Sequence, residues 1–367
     1  MTAENVLMWV LALGAVLGGL DHLLGDRTGL GKRFEEGFQL LGPTALSMAG
    51  ILCLAPLLSA LVQRVVLPLW PWQAVDPSIL AGVLAIDMGG YQLAVSTARD
   101  PAVGLFSGIV VASTLGCTLS FTVPTGMQLL EGEDRAAFSQ GILIGLCTLP
   151  AGLLAGGVAE GLGGCRTLLQ CLPVFALSLL LILGMTVFPR GALRGFLGFA
   201  RLIRAASILG LILGSVQYMT GVTLLPDLMP LEEAMSVVSG IGIVLLGSLP
   251  AAELLQRALR RPLNWFGQKS GMNRQSLAGL LIGFVSVVPV LAMMPQMDRR
   301  GKIVNGACLV GAASALAAHL SFVFSAEAGM MLPLLCAKVV GGVLGAAAAM
   351  VAVGPDASAL ETEGGRE

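Results

Sequence analysis

Residues 35–58, EEGFQLLGPTALSMAGILCLAPLL, recur in altered form as residues 232–255, EEAMSVVSGIGIVLLGSLPAAELL. The offset is 197 positions (232 − 35). At that spacing Glu35 and Glu36 meet Glu232 and Glu233, and Gly50, Leu52, Ala55, Leu57 and Leu58 meet Gly247, Leu249, Ala252, Leu254 and Leu255. Leu80-Ala81-Gly82 and Leu277-Ala278-Gly279 keep the same register. A chain of 367 residues that repeats itself at about half its length, in apolar sequence, has the pattern of a duplicated membrane protein. Secondary transporters are commonly built this way, with the substrate between the halves.

Composition around these stretches agrees. The chain is 56% hydrophobic and 12% charged, with mean hydropathy +0.87, where soluble domains carry about a quarter charged residues. Pairs such as Gly14/Gly18, Gly141/Gly145, Gly210/Gly214 and Gly341/Gly345 let helices approach closely in lipid. A net charge of −1 gives no case for nucleic acid. The seven cysteines form no CxxC pair, and there are only two histidines, so neither a metal centre nor a disulfide framework is expected. No phosphate-cradling GxxxxGK[ST] is present, no catalytic constellation stands at usable spacing, and neither a cofactor nor an enzymatic activity is predicted.

Eleven apolar segments lie near 4–24, 38–62, 78–97, 102–124, 136–160, 167–188, 202–225, 232–256, 274–295, 303–325 and 329–353. They predict an all-α polytopic membrane protein. No basic residue precedes the first segment, which favours a retained helix with its N-terminus outside. The ninth segment has Arg257, Arg260, Arg261, Lys269 and Arg274 on one flank and Arg299, Arg300 and Lys302 on the other. Both flanks are expected to be cytoplasmic, so this segment enters and leaves from one side, with its turn near Pro289. The repeat predicts the same of the third segment, with Gly89-Gly90 at the tip. With both segments re-entrant, only Arg64, Arg99 and Arg166 fall outside, and Lys338 is left within the last span. Two five-segment repeats of opposite orientation result: 1–163 and 190–354, linked by a helix at 164–189 and followed by a polar, disordered tail at 355–367. Broken helices that cross completely are the alternative.

Asp87, in LAIDMGGYQLA, stands deepest in apolar sequence of any acid near a predicted tip. A carboxylate at the bilayer centre costs roughly 3 kcal/mol and normally faces a cavity or an ion path. It would complement an ammonium group or a sodium ion, or relay a proton; the plainer reading is an acid that caps the second arm. Tyr91 offers a ring face, Gln92 an amide and Ser286 a hydroxyl at the second tip. His319 is polar and mid-membrane, a candidate ligand or proton relay as well as an interior hydrogen-bonding residue. Glu35, Glu36 and Glu232 complement helix dipoles in the plain reading and face the cavity in the functional one. Glu253 and Arg257, four apart, read as a surface ion pair.

The runs RFEEGF (33–38), DPSILAGVLAIDMGG (76–90), MPQMDRRGKIVNGA (294–307) and AAHLSF (317–322) resemble the EutH family, the ethanolamine permeases of bacterial ethanolamine-utilisation operons. The resemblance runs over about residues 4–353. It implies an inner-membrane protein that brings ethanolamine into the cytoplasm, where separate enzymes break it down. It carries over neither a coupling ion nor any site residue. The sequence departs from the family pattern at the second tip, where Ser286-Val287-Val288-Pro289 replaces a polar Asn-Asn pair before Ile-Pro, and at Ala318, where an acid is common.

The resulting expectation is a secondary transporter or facilitator for protonated ethanolamine, embedded in membrane lipid, with proton or sodium coupling and oligomeric state left open. Asp87 would hold the ammonium, Gln92 and Ser286 the hydroxyl, and Tyr91 would form an aromatic wall. The alternatives are a transporter of another small amine, nucleoside or organic cation on the same architecture, or a non-transport membrane anchor of the utilisation enzymes.

Overall fold

The computed structural model describes residues 3–66, 68, 73–84 and 90–354, and the described residues form helices joined by turns, without strands. In chain order the helices are α1 (Ala3–Leu23), the amphipathic α2 (Leu30–Gln39), α3 (Leu41–Leu61), the short α4 (Ser78–Leu84) and α5 (Tyr91–Thr97), α6 (Pro101–Leu129) and α7 (Gly132–Glu160). Then follow α8 (Gly164–Gln170), α9 (Leu172–Val187), α10 (Pro189–Thr220), α11 (Leu231–Ser270), α12 (Arg274–Gly283), α13 (Val287–Met293), α14 (Arg299–Ala312), α15 (Leu320–Ala326) and α16 (Met331–Ala352).

Among the described residues, eight helices are long and apolar enough to cross a membrane, and α8 with α9, bent by 53°, passes the same test only when the two are taken as one span. The helices in the third and ninth apolar segments are shorter: α4 and α5 have seven residues each, α12 ten and α13 seven. At 1.5 Å per residue, the ten residues of α12 rise about 15 Å, half a bilayer core.

The ends of both short-helix segments come back together. Asn273 Nδ2 donates to the Gln296 carbonyl (2.9 Å), and the Asp298 carboxylate accepts from Asn273 N (2.9 Å), Ser276 Oγ (2.6 Å) and Gly301 N (2.8 Å). Asp76 does the same at the other site, accepting from Ser78 N (2.9 Å), Arg99 N (2.9 Å) and Asp100 N (3.0 Å). The ends of each stretch thus lie side by side: Asp76 with Arg99 and Asp100, and Asn273 with Gln296 and Asp298. Side chains at these ends also cap the helices: Asp298 caps α14, Asn273 caps α12, and Asp100, followed by Pro101, caps α6.

Contacts between helices recur at the sequence offset. Gly50 of α3 meets the backbone of Ser207 and Gly210 on α10, and Gly247 of α11 meets the backbone of Leu11 and Gly14 on α1. A side chain at any of these glycines would collide with backbone. Likewise Gly82 lies against Ser107, whose hydroxyl donates to the Ser78 carbonyl, while Gly279 lies against Asn305, whose Nδ2 donates to the Ser276 carbonyl (2.8 Å). Each doubled-back segment thus seats its first arm on the span that follows it.

Two expectations change in detail. The turn of the ninth segment lies at Phe284–Ser286 rather than at Pro289. Pro289 stands in the first turn of α13, where a missing N–H costs no helical bond. The seventh segment begins at Pro189 instead of near 202, so Arg190, Arg194, Arg201 and Arg204 lie on helix α10.

Candidate functional site

Two irregular pieces of backbone and the start of α5 meet in the buried centre. The span that begins with α14 breaks at Ala313 (φ −45°, ψ 124°) and Ser314 (φ 54°, left-handed), and resumes as a π-helical turn over Ala315–His319 before α15. A break inside a membrane strands backbone groups, and each must find a partner in protein or water. Ser314 N donates to the Gly283 carbonyl (3.0 Å) and Leu316 N to the Phe284 carbonyl (2.8 Å), so the break and the end of α12 satisfy one another. The freed Ala313 carbonyl accepts from Lys338 Nζ (2.8 Å) and lies 2.9 Å from His319 Nδ1. Because a carbonyl only accepts, Nδ1 carries the proton in that contact.

The second irregular piece is in α6, where Phe106–Gly116 and Thr118–Thr122 are π-helical. Cys117 N donates to the Ala112 and Thr114 carbonyls, bypassing the Ser113 carbonyl that α-helical spacing would use. Lys338 Nζ donates to that bypassed carbonyl at 2.5 Å. The Lys338 ammonium, fully buried on α16, therefore bridges carbonyls set free by two distorted spans. π-Type irregularities of this kind concentrate at functional sites.

The third piece is the start of α5. The Tyr91 ring meets Phe322 edge-on, with centroids 5.6 Å apart and planes at 80°. Gly108 permits this approach, since a Cβ there would sit 3.1 Å from the Tyr91 Cα. Between Gly108, Ser113, His319, Phe322 and their neighbours is a cavity of ≈ 10 Å³, room for about one water molecule.

The predicted residues divide accordingly. His319 is buried in this centre, and half-buried Tyr91 joins it through Phe322. Gln92 follows Tyr91 and is half-buried. Ser286 stands at the start of α13, its N–H donating to the Ile282 carbonyl (2.8 Å), two residues from the carbonyl that docks on the helix break. Asp87 lies outside the described residues. Glu35 and Glu36 are exposed on α2 and are bound to Gln39 (2.9 Å) and Arg33 (2.7 Å), and Glu232 is exposed in the first turn of α11; none of the three joins the buried group. Glu253 pairs with Arg257 as expected (2.9 Å) and also with Arg33 (3.2 Å). Lys338 is the residue that the candidates lacked. Its signal was in the sequence, as the lysine left within the last apolar segment.

Outside the spans, Arg166 pairs with Asp100 and, by that hydrogen bond first, holds the Asp100 carboxyl below its ordinary range.

The family described as "Ethanolamine utilisation protein, EutH" matches residues 3–352. The chain belongs to the EutH family. A EutH relative from Listeria monocytogenes, named "Probable ethanolamine permease EutH", is 33% identical over 94% of this chain and 92% of its own length. The Escherichia coli protein of the same name is 34% identical over 99% of both chains. "Uncharacterized protein YxeR" of Bacillus subtilis is 36% identical over 95% of each. No solved structure matches.

Proposed function

We propose that the chain is a multi-pass transporter that brings protonated ethanolamine across the inner membrane into the cytoplasm. The observation that carries this reading is the meeting of two distorted spans, a doubled-back tip and a buried cation at one point. Irregular backbone at membrane depth is tolerated where it lines a cavity, and transporter sites are made from such interrupted helices. The names of the EutH relatives support ethanolamine as the substrate.

The two segments that double back are read as re-entrant hairpins, Asp76–Asp100 and Asn273–Asp298, entering from opposite faces. The matched contacts of Gly50 and Gly247, and of Ser107 and Asn305, support two inverted repeats, in which each repeat's second span rests on the other's first. Nine full crossings put the N-terminus outside and the C-terminus in the cytoplasm, in keeping with the basic residues.

In this reading Asp87, three residues before Gly90 at the start of the second arm, is the counter-charge for the substrate ammonium. Tyr91 forms a wall, and Gln92 and Ser286 serve the hydroxyl. His319 positions the Ala313 carbonyl beside it. The cavity of ≈ 10 Å³ beside His319 is smaller than ethanolamine, so loading at that point requires the surrounding helices to separate.

Uptake of labelled ethanolamine into proteoliposomes at pH 5.5 tests the reading. A primary amine is then almost wholly protonated. Saturable uptake by the wild type and its loss in Asp87→Asn are expected; dependence on imposed proton or sodium gradients separates symport from facilitation. No uptake by folded wild type rejects ethanolamine as substrate, and wild-type uptake by Asp87→Asn rejects the ammonium site.

A further inference from the structure

We infer that the Ser113 and Ala313 carbonyls form a site for a primary ammonium group, which Lys338 fills from within the protein in this conformation. Neither carbonyl is available by accident. Ser113 is bypassed because the π-helical register sends Cys117 N to Ala112 and Thr114, and Ala313 is released by the extended turn before Ser314. The two oxygens come from different spans, yet both lie within hydrogen-bond reach of one nitrogen, at 2.5 and 2.8 Å.

The chemistry selects ammonium rather than a bare metal ion. An –NH3+ group carries directional donors that suit two well-placed carbonyls. Alkali and alkaline-earth ions prefer a fuller shell of oxygens, such as the six to eight of calcium. The second lone-pair direction of Ala313 is taken by His319 Nδ1, which fixes the carbonyl for a neighbour and narrows the site to a group reaching it as Nζ does. A lysine buried here must recover the hydration it gave up, and the carbonyls supply part of it.

The arrangement amounts to a tethered copy of the charged end of any small primary amine. Removing the tether while leaving the carbonyls should therefore create a site for a free amine. This does not depend on which substrate the protein carries.

The test compares thermal unfolding of wild type, Lys338→Ala and Lys338→Met in detergent, with methylammonium, sodium or N-methylglucamine as the chloride salt at matched ionic strength. The wild type should unfold at one temperature in all three salts. Lys338→Ala should be less stable in N-methylglucamine, or recoverable only when methylammonium is present during solubilisation, and methylammonium should raise its midpoint by about 3 °C or more. Lys338→Met, which fills the vacated space with an apolar chain, should gain nothing. Equal stability of Lys338→Ala in all salts, stabilisation by sodium alone, recovery in no salt, or equal rescue of the methionine variant would each overturn the inference. Because the readout is unfolding, absence of ethanolamine uptake would sink the permease reading without touching this one.

Discussion

Replacing Asp76 by alanine should loosen the base of the first doubled-back segment while leaving the long apolar helices in place. The carboxylate is buried and accepts three backbone N–H groups, from Ser78, Arg99 and Asp100, at 2.9 to 3.0 Å. Hydrogen bonds to a charged acceptor are worth about 1.5–3 kcal/mol each, but bonds sharing one acceptor are not additive. Taking the three together as about 3 kcal/mol gives a shift of about 10²-fold toward the open base. Ser78 N belongs to a helix start and can find water; Arg99 N and Asp100 N join the far end of the segment to its beginning and report the opening directly. Hydrogen exchange followed by mass spectrometry on peptides covering 98–104 should show those amides exchanging about 10²-fold faster in Asp76→Ala, with peptides from α7 and α16 unchanged. Unaltered protection at 99–100 would refute the claim that this carboxylate closes the segment. Exchange accelerated throughout the protein would show that its role is global rather than local.

Asp298→Ala should behave as its counterpart, exposing the amides of Asn273 and Gly301 to exchange, because Asp298 closes the second segment with the same number of bonds. Gly50→Leu and Gly247→Leu should each lower the unfolding midpoint markedly and to a similar degree, since both glycines abut backbone of the facing helix; a tolerated Gly247→Leu would count against the close contact of α11 with α1. His319→Ala should reduce uptake at least tenfold with membrane yield retained, by removing a partner of the Ala313 carbonyl, and undiminished uptake would free the histidine of that role. The Asp100 carboxyl is held below its ordinary range by Arg166, so the stability it lends is present above the unfolded value near 4 and is lost as pH falls through the lower folded one. The difference in unfolding midpoint between wild type and Arg166→Gln should thus be present at pH 7 and close below about pH 4; a gap that stays constant in acid would assign it to packing.

The spans were legible because lipid imposes one rule on every segment, enough apolar length, and the segments at 136–160, 303–325 and 329–353 were read almost to their ends. The proposed hairpins rest on a different signal: Arg261 and Lys302 flank one apolar run, and basic residues on both flanks favour entry and exit on one side. What the sequence did not display is backbone register. Nothing in FSGIVVASTLG announces a π-helix, since its residues are apolar or small on every face, and the bypassed Ser113 carbonyl follows from register alone. The Ala313–Ser314 break carries no proline or glycine of its own; it is held by carbonyls from Gly283 and Phe284, far away in the chain. Lys338 was visible as an isolated charge, but its contacts with the Ser113 and Ala313 carbonyls are to backbone atoms, which side-chain pattern cannot reveal.

Under the proposed repeat, the frame is symmetric and the chemistry is not. The repeat mate of Lys338 is Gly141, 197 positions earlier, and Gly141 lies against the backbone of Ile303 and Ala307 with no space for a Cβ. A second lysine at that position is therefore excluded by the packing of α7 on α14. The mate of Asp87 is Phe284, whose carbonyl is spent on Leu316 at the helix break. One tip thus supplies an acid in its sequence while the other supplies backbone for docking. A duplicated protein begins with two equivalent half-sites; here one half has become the charged side and the other the surface that holds the interrupted span in position. That division assigns a distinct consequence to each tip. Charge changes at 87 should alter which amines are carried, whereas bulk added at Gly283, beside the Leu309 side chain, should disturb the break and reduce transport of every amine alike.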